Sequence, residues 1–366
     1  MIDFDVHGLL TIRLRNAPRP LVDSVAYELG LRPGVGSGPA DLTITCMDRL
    51  PEAGPLRLLG LHQAGFDAQH FYLFDAAGRR ARIDFAGLGG GTEILCESGL
   101  RHVPLLIPLV ALHLLGTGHV LLHASSFVFR GQGVLVTGWQ KGGKTEMLLP
   151  FMAAGADYIA DEWTIVGGRP PALYGLARVA RLWEWHFQYL PAAYWARIGR
   201  ASRIRLGLMR LYRQLYRAGP GRAGLRRGPF RALQRLSREG GTWLQGVDQL
   251  APGVVFPGHV HAGPAPLDRG FLAVLGQDGT HVAPEDPAAI AARMVSSLAY
   301  ERSSLWTAYQ QYRFAFPDRR SPLIEGAREQ ELAILTDALA GKPAFEIVHP
   351  YPVPLSDLYA AAAPYF

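Results

Sequence analysis

The stretch GWQKGGKTE, residues 138–146, decides the fold that this chain is expected to adopt. It fits the pattern G-x-x-x-x-G-K-[ST], in which a glycine-rich loop between a strand and a helix turns its backbone amides toward phosphate oxygens. Gly138, Gly142 and Gly143 allow the loop to turn in this way. The N-terminus of the following helix adds the positive end of its dipole. The stretch therefore predicts a site for a nucleoside triphosphate.

Individual side chains of the stretch are assigned to parts of the nucleotide. Lys144 is expected to reach the β- and γ-phosphates, and the Thr145 hydroxyl is expected to hold Mg²⁺. Lys141 adds positive charge at the mouth of the loop. The other expected nucleotide-binding positions are Gly138, Trp139, Gln140, Gly142, Gly143 and Glu146. A chance match is the alternative, because so short a pattern recurs in long sequences.

The flanking residues predict the strand, loop and helix that the motif needs. VLVT (134–137) reads as a strand before the loop, residues 145–154 as a short helix after it, and DYIA (157–160) as the next strand. A helix of about ten residues rises about 15 Å. The chain can therefore return and place the second strand beside the first. We expect an α/β fold with the loop at its functional edge.

Two acids follow the second strand. Asp161 comes 17 residues after Lys144, and Glu162 is next to it. Neighbours on an extended chain point to opposite sides, so one acid is expected to face the phosphoryl acceptor and the other the metal. Phosphoryl transfer needs little beyond positioning, Mg²⁺ and a base for the proton of the nucleophile. A solvated strand end is the alternative for such a pair. His123, within an expected strand at 119–129, is a third catalytic candidate, although a lone His in an apolar strand is more often a core residue.

The composition is that of a globular protein. Hydrophobic residues make up 49% and charged residues 19% of the chain, which excludes an intrinsically disordered class. Two cysteines in 366 residues argue against a disulfide scaffold, and the first residues do not resemble a signal peptide, so we expect a cytoplasmic protein. Residues 103–122 are uncharged and about long enough to span a membrane. Their two prolines, two glycines and two histidines favour a buried helix followed by a strand.

The chain is expected to contain two domains. Residues 1–102 read as a β-rich module, with strand patterns at TIRLR, DLTITCM, HFYLFD and ARIDFAG and no catalytic constellation. Residues 103–366 form the domain that carries the glycine loop. Strand-like runs follow there at GVVFPG (253–258) and GFLAVLG (270–276), and helical patterns come after them.

A basic helical insertion is expected at about residues 178–250. The chain has 34 Arg and 3 Lys, and the stretch from Arg178 to Arg238 holds 15 Arg against one acid, Glu184. A solvated helical insertion, a docking surface for an acidic peptide or for phosphates, and an anionic membrane or nucleic-acid surface are all compatible with this composition. Nucleic acid is not an expected partner. Arg178 and Arg181 follow the acid pair most closely and are candidates for substrate binding.

The run LLHASSFVFRGQGVLVTGWQKGGKTEMLLPFMAAGADYIADEWTIV (121–166) resembles the catalytic core of the HPr kinase/phosphorylase family. It is more similar still to the HPr-kinase-like proteins of peptide-biosynthesis clusters, such as the lasso-peptide kinases. The shared elements are the strand with His123, the GKTE loop with Glu146, and the acid pair, which is Asp-Asp in the family. APLDRGFLAVLG (265–276) looks like a later core strand of the family, and weaker continuity extends from about 104 to 280.

The resemblance implies an HPr-kinase-like P-loop core that uses ATP, or another nucleoside triphosphate, and Mg²⁺. It implies that Asp161 is the general base, that Thr145 and Glu162 are metal-linked, and that Lys144 clamps the phosphates. His123 is then a substrate-side residue, and a homo-oligomer is one implied state. Trp139 and Lys141 replace small residues of the family loop. The second glycine-rich signature of true HPr kinases is not visible after residue 166, so neither HPr as substrate nor the reverse phosphorylase reaction is expected.

The leading hypothesis is a kinase that transfers the γ-phosphoryl group of ATP to the hydroxyl of a Ser in a peptide or small protein. A kinase of a small-molecule alcohol, such as a sugar or an antibiotic, is the first alternative. A non-catalytic nucleotide-binding module that binds a partner through the Arg-rich segment is the second. A motor NTPase is disfavoured, because the acid follows the loop too closely for the usual motor cores.

Overall fold

The computed structural model describes residues 1–36, 38–61, 63–176, 180–183, 185–188, 190, 192–217 and 247–366. Within them the strands are β1 (Ile2–Val6), β2 (Leu10–Arg15), β3 (Leu42–Met47), β4 (Arg57–Leu59), β5 (Ala64–Phe66), β6 (Phe71–Phe74), β7 (Arg80–Arg82), β8 (Thr92–Glu97), β9 (His119–His123), β10 (Ser125–Phe129), β11 (Gln132–Gly138), β12 (Asp157–Ala160), β13 (Trp163–Gly167), β14 (Ala172–Gly175), β15 (Ala180–Trp183), β16 (Val247–Leu250), β17 (Ala265–Pro266), β18 (Arg269–Leu275), β19 (His281–Pro284) and β20 (Ala344–His349).

The helices in the same residues are α1 (Arg19–Leu29), α2 (Leu106–Gly116), α3 (Lys144–Ala153), α4 (Ala192–Arg197), α5 (Arg200–Arg217), α6 (Pro252–Val255), α7 (Pro287–Glu301), α8 (Ser303–Ala315), α9 (Pro322–Glu325), α10 (Ala327–Leu339) and α11 (Leu355–Ala362). Short 3₁₀ turns lie at His186–Gln188 and Ala363–Tyr365. The fold is mixed α/β with several sheets, which confirms the expected class.

The N-terminal part forms an eight-stranded sheet with the order β1-β2-β3-β8-β7-β6-β5-β4. Helix α1 buries Leu21, Val22, Val25 and Leu29, whose spacing of three to four residues puts them on one face. The expected strand at ARIDFAG is shorter than its pattern, because β7 ends at Arg82.

The N-terminal sheet packs against the C-terminal helices in one continuous apolar core. The ring of Tyr312 on α8 lies edge-on to Phe71 and Phe85, with centroid distances of 5.7 and 5.4 Å. Its hydroxyl donates to Asp84 at 2.8 Å. The domain boundary at residue 102 stays a prediction.

A six-stranded sheet, with the order β12-β10-β11-β18-β20-β19, carries the glycine loop. Strands β11, β18 and β20 run parallel, and β10 is antiparallel to both of its neighbours, β11 and β12. The expectation that β12 lies directly beside β11 is wrong, because β10 is inserted between them. With two antiparallel pairings in succession, β12 still runs in the same direction as β11. Its C-terminal end therefore stays at the edge where the loop lies.

The expected continuous strand 119–129 is two strands in two sheets. Strand β9 pairs with β13 in a four-stranded sheet, whereas β10 belongs to the six-stranded one. The break falls at Ala124, whose N–H donates to the Glu162 carbonyl at 3.1 Å. The chain thus changes sheets between His123 and Ser125, which sends the two side chains to different neighbours.

Residues 103–122 form helix α2 and the start of β9, as expected, and α2 is largely buried. Across the part of the chain that the structure describes, no helix has both the length and the apolar character needed to cross a bilayer. The strand expected at GVVFPG is wrong: residues Pro252–Val255 form the short helix α6. Proline at the first position of a helix is favourable, which explains the outcome.

The described parts of the Arg-rich segment contain the expected helices, α4 and α5. They also contain a two-stranded antiparallel sheet, β15 with β16, which the sequence pattern did not predict. Arg178 lies outside the described residues. Arg181 is placed by its backbone in β15, and its predicted substrate contact is not described.

Candidate functional site

The glycine loop joins the end of β11 at Gly138 to the start of α3 at Lys144, so the expected strand, loop and helix are present. A cleft of about 560 Å³ opens beside the loop. Its lining comes from the loop and from distant parts of the chain: His123, Gln140, Lys141, Gly142, Gly143, Lys144, Thr145, Glu146, Asp161, Glu162, Trp183, Leu275 and Tyr351. The structure therefore brings the loop, the acid pair and His123 together.

Lys144 is a buried cation in this cleft, with 6% of its surface exposed. Its Nζ donates to the carbonyl oxygens of Trp139 at 2.8 Å and Gly138 at 3.3 Å. Burial lowers the pKa of Lys144 to about 8, although the negative charges of Asp161 and Glu301 oppose the shift. No carboxylate of a described residue forms an ion pair with it. A desolvated amine satisfied only by carbonyl dipoles is suited to bind an anion.

Asp161 lies at the end of β12 and is buried, with 2% exposed. Its Oδ1 accepts a hydrogen bond from Ser125 Oγ at 2.7 Å, and Thr145 Oγ1 donates to Oδ1 at 3.0 Å and lies 3.1 Å from Oδ2. Burial raises the pKa of Asp161, and the two hydroxyl donors only partly offset this. Ser125 is the first residue of β10, so the strand that separates β12 from β11 also supplies a contact that fixes the acid.

Glu162 does not point away from Asp161 as expected for an extended chain. Its φ is 91°, in the left-handed region, and both acids line the same cleft. A positive φ is uncommon for a glutamate and costs roughly 1–3 kcal/mol. Such strained positions cluster at functional sites.

His123 ends β9 and lines the cleft. Its Nδ1 is 2.8 Å from Oε1 of Glu301, the last residue of α7, and Gln140 Nε2 donates to the same oxygen at 3.1 Å. Burial alone would raise the pKa of Glu301, but the hydrogen bond with His123 and the contacts with Gln140 and Lys144 lower it below its ordinary value. Glu301 is therefore a carboxylate that fixes the orientation of His123.

Two further histidines support the loop from outside the predicted motif. His186 Nε2 lies 3.4 Å from Glu146 Oε1. Burial acts to raise the pKa of Glu146, but this partner helps to bring it below its ordinary value. His349, fully buried at the end of β20, places Nε2 3.2 Å from the Gly142 carbonyl and Nδ1 2.9 Å from the Pro350 carbonyl. No local pattern marks these residues, because they come from distant segments.

Trp139 lies in a second pocket beside the first. This mainly apolar pocket of about 430 Å³ is lined by Trp139, by residues 272–275 of β18 and by residues of α7, and it shares Gln140, Gly142 and Leu275 with the main cleft. The Trp139 ring is about half exposed and lies 5.1 Å from the ring of Tyr300. Of the predicted nucleotide-binding residues, Trp139 lines only the neighbouring pocket, and Gly138 lines neither of the two.

The oxygen atoms beside Lys144 fit a Mg²⁺ ion held together with phosphates. Thr145 directs its hydroxyl proton to Asp161, which leaves the oxygen lone pairs available to a cation. The described residues contain no group of three or more His, Cys, Asp or Glu that could hold a metal alone. Mg²⁺ commonly takes only one or two carboxylates from the protein and completes its octahedron with phosphate oxygens and water.

Replacing Gly143 with alanine should destabilise the loop more than an equivalent change elsewhere. Gly143 has a φ of +98°, and an added Cβ would overlap the ring of His349. Gly155 has a similar φ of +92°, but nothing lies within 4 Å of its Cβ position. We expect a loss of about 2–5 kcal/mol for Gly143→Ala, from the backbone penalty and the overlap together. Gly155→Ala should lose about 1–2 kcal/mol.

Urea unfolding of both variants measures this difference. Equal losses would show that His349 gives way without cost. Adding His349→Ala to Gly143→Ala separates the backbone penalty from the overlap with the His349 ring. The second substitution removes the overlap and leaves the backbone penalty unchanged.

Comparison with protein-family models and with curated proteins gave no match for this chain.

Proposed function

We propose that this chain is a kinase that uses ATP, or another nucleoside triphosphate, with Mg²⁺ and transfers the γ-phosphoryl group to the hydroxyl of a Ser in a peptide or small protein. One observation carries the proposal: the buried amine of Lys144, which among the described residues is held only by backbone carbonyls, and the Asp161 carboxylate, which accepts from the Thr145 hydroxyl, face one cleft. Phosphoryl transfer requires a cationic side chain that binds the phosphates and, next to it, oxygen atoms that can hold Mg²⁺.

The phosphates would lie on the loop and at the N-terminus of α3. Backbone amides there are unsatisfied by the helix, and the helix dipole favours negative charge. Lys144 would exchange its two carbonyl acceptors for phosphate oxygens, since hydrogen bonds between charged partners are stronger than those to carbonyls. The parallel strands β11, β18 and β20 behind the loop support the finer proposal of an HPr-kinase-like P-loop core.

Mg²⁺ would be held by Thr145 and by the acid pair, with Glu162 as the carboxylate that the resemblance implies. The ion would supply neutralisation of the charge that develops on the β- and γ-phosphate oxygens. Two groups in the cleft could take the proton of the acceptor: Asp161, as the resemblance implies, and His123.

A peptide or small-protein acceptor is supported by the aromatic surface next to the cleft. Trp139 and Tyr300 are each about half exposed and lie against each other. Exposed aromatic residues are enriched at binding surfaces, because they contribute a large contact area at low entropic cost. A small alcohol would need no such surface outside the cleft.

Incubation of the protein with γ-labelled ATP and Mg²⁺ tests the proposal. The acceptors should be Ser-containing peptides with and without acidic residues, a set of sugars, and water alone. We expect label on a peptide hydroxyl that depends on Mg²⁺. Label on a sugar alone would move the assignment to a small-molecule kinase. ATP binding with no transfer to any acceptor, including water, would support the non-catalytic module instead.

A further inference from the structure

We propose that His123 takes the proton of the acceptor hydroxyl and that Glu301 is the residue that positions it. The inference rests on the proposed phosphoryl transfer and specifies its proton acceptor. It is carried by the hydrogen bonds that join β9, the glycine loop and the end of α7.

The contact with Glu301 decides which nitrogen of His123 faces the cleft. Glu301 Oε1 is 2.8 Å from Nδ1, and a carboxylate accepts only, so Nδ1 carries the proton. In the neutral imidazole the lone pair is then on Nε2. Among the described residues, Nε2 has no hydrogen-bond partner, and the partly exposed side chain lines the cleft. The ring therefore offers a fixed proton acceptor on the side where substrate enters.

Glu301 occupies a position that is unfavourable for a carboxylate unless a partner compensates it. It is the last residue of α7, where the negative end of the helix dipole costs a carboxylate roughly 0.3–1 kcal/mol. Its side chain is nevertheless only 16% exposed and is held by His123 and Gln140. A glutamine there would keep the hydrogen bonds without the electrostatic cost, so the charge is better explained by a role in stabilising a protonated His123.

Gln140 couples this pair to the glycine loop. Its amide donates to the same Glu301 oxygen that His123 contacts, at 3.1 Å. The loop that would grip the phosphates thus also sets the position of the imidazole. This link would fix the position of the proton acceptor relative to the γ-phosphate.

Asp161 is less suited to receive the proton. It is 2% exposed, and hydroxyl groups of Ser125 and Thr145 occupy its oxygens. Accepting a proton from substrate would disrupt contacts that aim Thr145 at the metal. The charge of His123 acts on both Asp161 and Glu301 to lower the pKa of each, and Lys144 acts to lower the pKa of Glu301 from the loop side.

The step balances without another reactant. The acceptor oxygen forms a bond to the γ-phosphorus while its O–H bond breaks and the proton goes to His123 Nε2. The bond from the γ-phosphorus to the bridging oxygen breaks, and its electron pair stays on the departing nucleoside diphosphate. Glu301 then faces an imidazolium and stabilises it, as carboxylates do in other His-based sites.

The test compares His123→Ala, Glu301→Gln and Glu301→Asp in the full chain, with Mg²⁺ and ATP as the probe and water as the acceptor. We expect kcat to fall roughly 100-fold in His123→Ala, and added imidazole to restore part of it. Glu301→Gln should lower kcat roughly 10- to 100-fold with KM for ATP nearly unchanged, and Glu301→Asp should recover part of the loss.

His102→Ala is the matched control, because His102 contacts Glu28 through the same nitrogen and is absent from the lining of the cleft. It should leave kcat unchanged. Wild-type kcat in His123→Ala, a loss that imidazole does not restore, or a rise in KM without a fall in kcat in Glu301→Gln would overturn the inference. A wild-type chain that neither binds nor turns over ATP would instead contradict the proposed function itself.

Discussion

Replacing Lys144 with methionine is expected to abolish measurable phosphoryl transfer and to weaken nucleotide binding strongly. Methionine keeps the apolar stem in its buried place and removes only the charge. Removing one partner of a buried charge pair commonly costs roughly 2–5 kcal/mol of binding free energy. This corresponds to a rise of about 30-fold to several thousand-fold in Kd. Calorimetric titration with a non-hydrolysable ATP analogue and Mg²⁺ measures it.

The same substitution should make the chain more stable, which separates a lost binding site from a damaged fold. Burial lowers the pKa of Lys144 to about 8, below its ordinary 10.5. Between these values the unfolded chain binds more protons than the folded one, so the stability of the wild type rises with pH across this window. Below pH 8 the cost of the buried charge is fully present. Lys144→Met should therefore gain stability at pH 7, and the gain should shrink as the pH approaches 10.5.

Lys342→Met is the matched control for this experiment. Lys342 is only partly buried, follows α10 and is absent from the lining of the cleft. Its replacement should leave Kd unchanged. If Lys144→Met kept the nucleotide affinity of the wild type, the glycine loop could not be the phosphate site.

The elements around the loop could be predicted from the sequence because their signals are local. The motif fixes Gly138 and Lys144, and the apolar run DYIA defines the whole of β12. The partners of these strands could not be predicted in the same way. The pattern of HVLLHASSFVF does not indicate that the chain passes from one sheet to another at Ala124. This change of sheet involves a hydrogen bond from Ala124 to Glu162, which is distant in sequence. The left-handed backbone conformation of Glu162 could not be predicted either, because glutamate rarely adopts a positive φ.

The site was predictable to the extent that its residues are close in sequence to the loop. The loop motif indicates Thr145 and the spacing after it indicates Asp161, and the structure places the two side chains in contact. Ser125, Glu301 and His349 were missed, since each comes from a segment without a motif. Of these three residues, only Glu301 has a sequence feature that could have indicated its role. A glutamate at the end of a helical pattern opposes the helix dipole, and such a residue invites a search for its partner.

Replacing Asp161 with asparagine is expected to lower phosphoryl transfer by roughly 10³-fold, comparable to the loss of a preorganised electrostatic contact in other enzymes. The asparagine carbonyl can still accept from Ser125. Its amide, however, would donate to Thr145 Oγ1, and the Thr145 hydroxyl proton would then face the cation site. Mg²⁺ binding should weaken as a result. Higher Mg²⁺ concentration should therefore restore part of the activity, because His123, which we propose as the proton acceptor, is still in place.

The stability of the same variant tests the burial argument independently. Burial raises the folded-state pKa of Asp161 above its ordinary 3.8, so the folded chain binds more protons than the unfolded one between these pKa values. The wild type consequently loses stability as the pH rises through that window, and the cost persists at neutral pH. Asp161→Asn should be more stable than the wild type at pH 7, and the gain should vanish toward pH 3.8.

Asp157→Asn, at the exposed start of the same strand, is the control that should alter neither activity nor Mg²⁺ dependence. Three outcomes of Mg²⁺ titration distinguish the roles of Asp161. Partial recovery of transfer at high Mg²⁺ supports a carboxylate that orients Thr145 toward the metal. No recovery, with unchanged nucleotide affinity, would return the role of general base to Asp161 and remove it from His123. Undiminished transfer would contradict both roles of Asp161, that of orienting Thr145 and that of general base. The buried carboxylate would then take no part in the reaction.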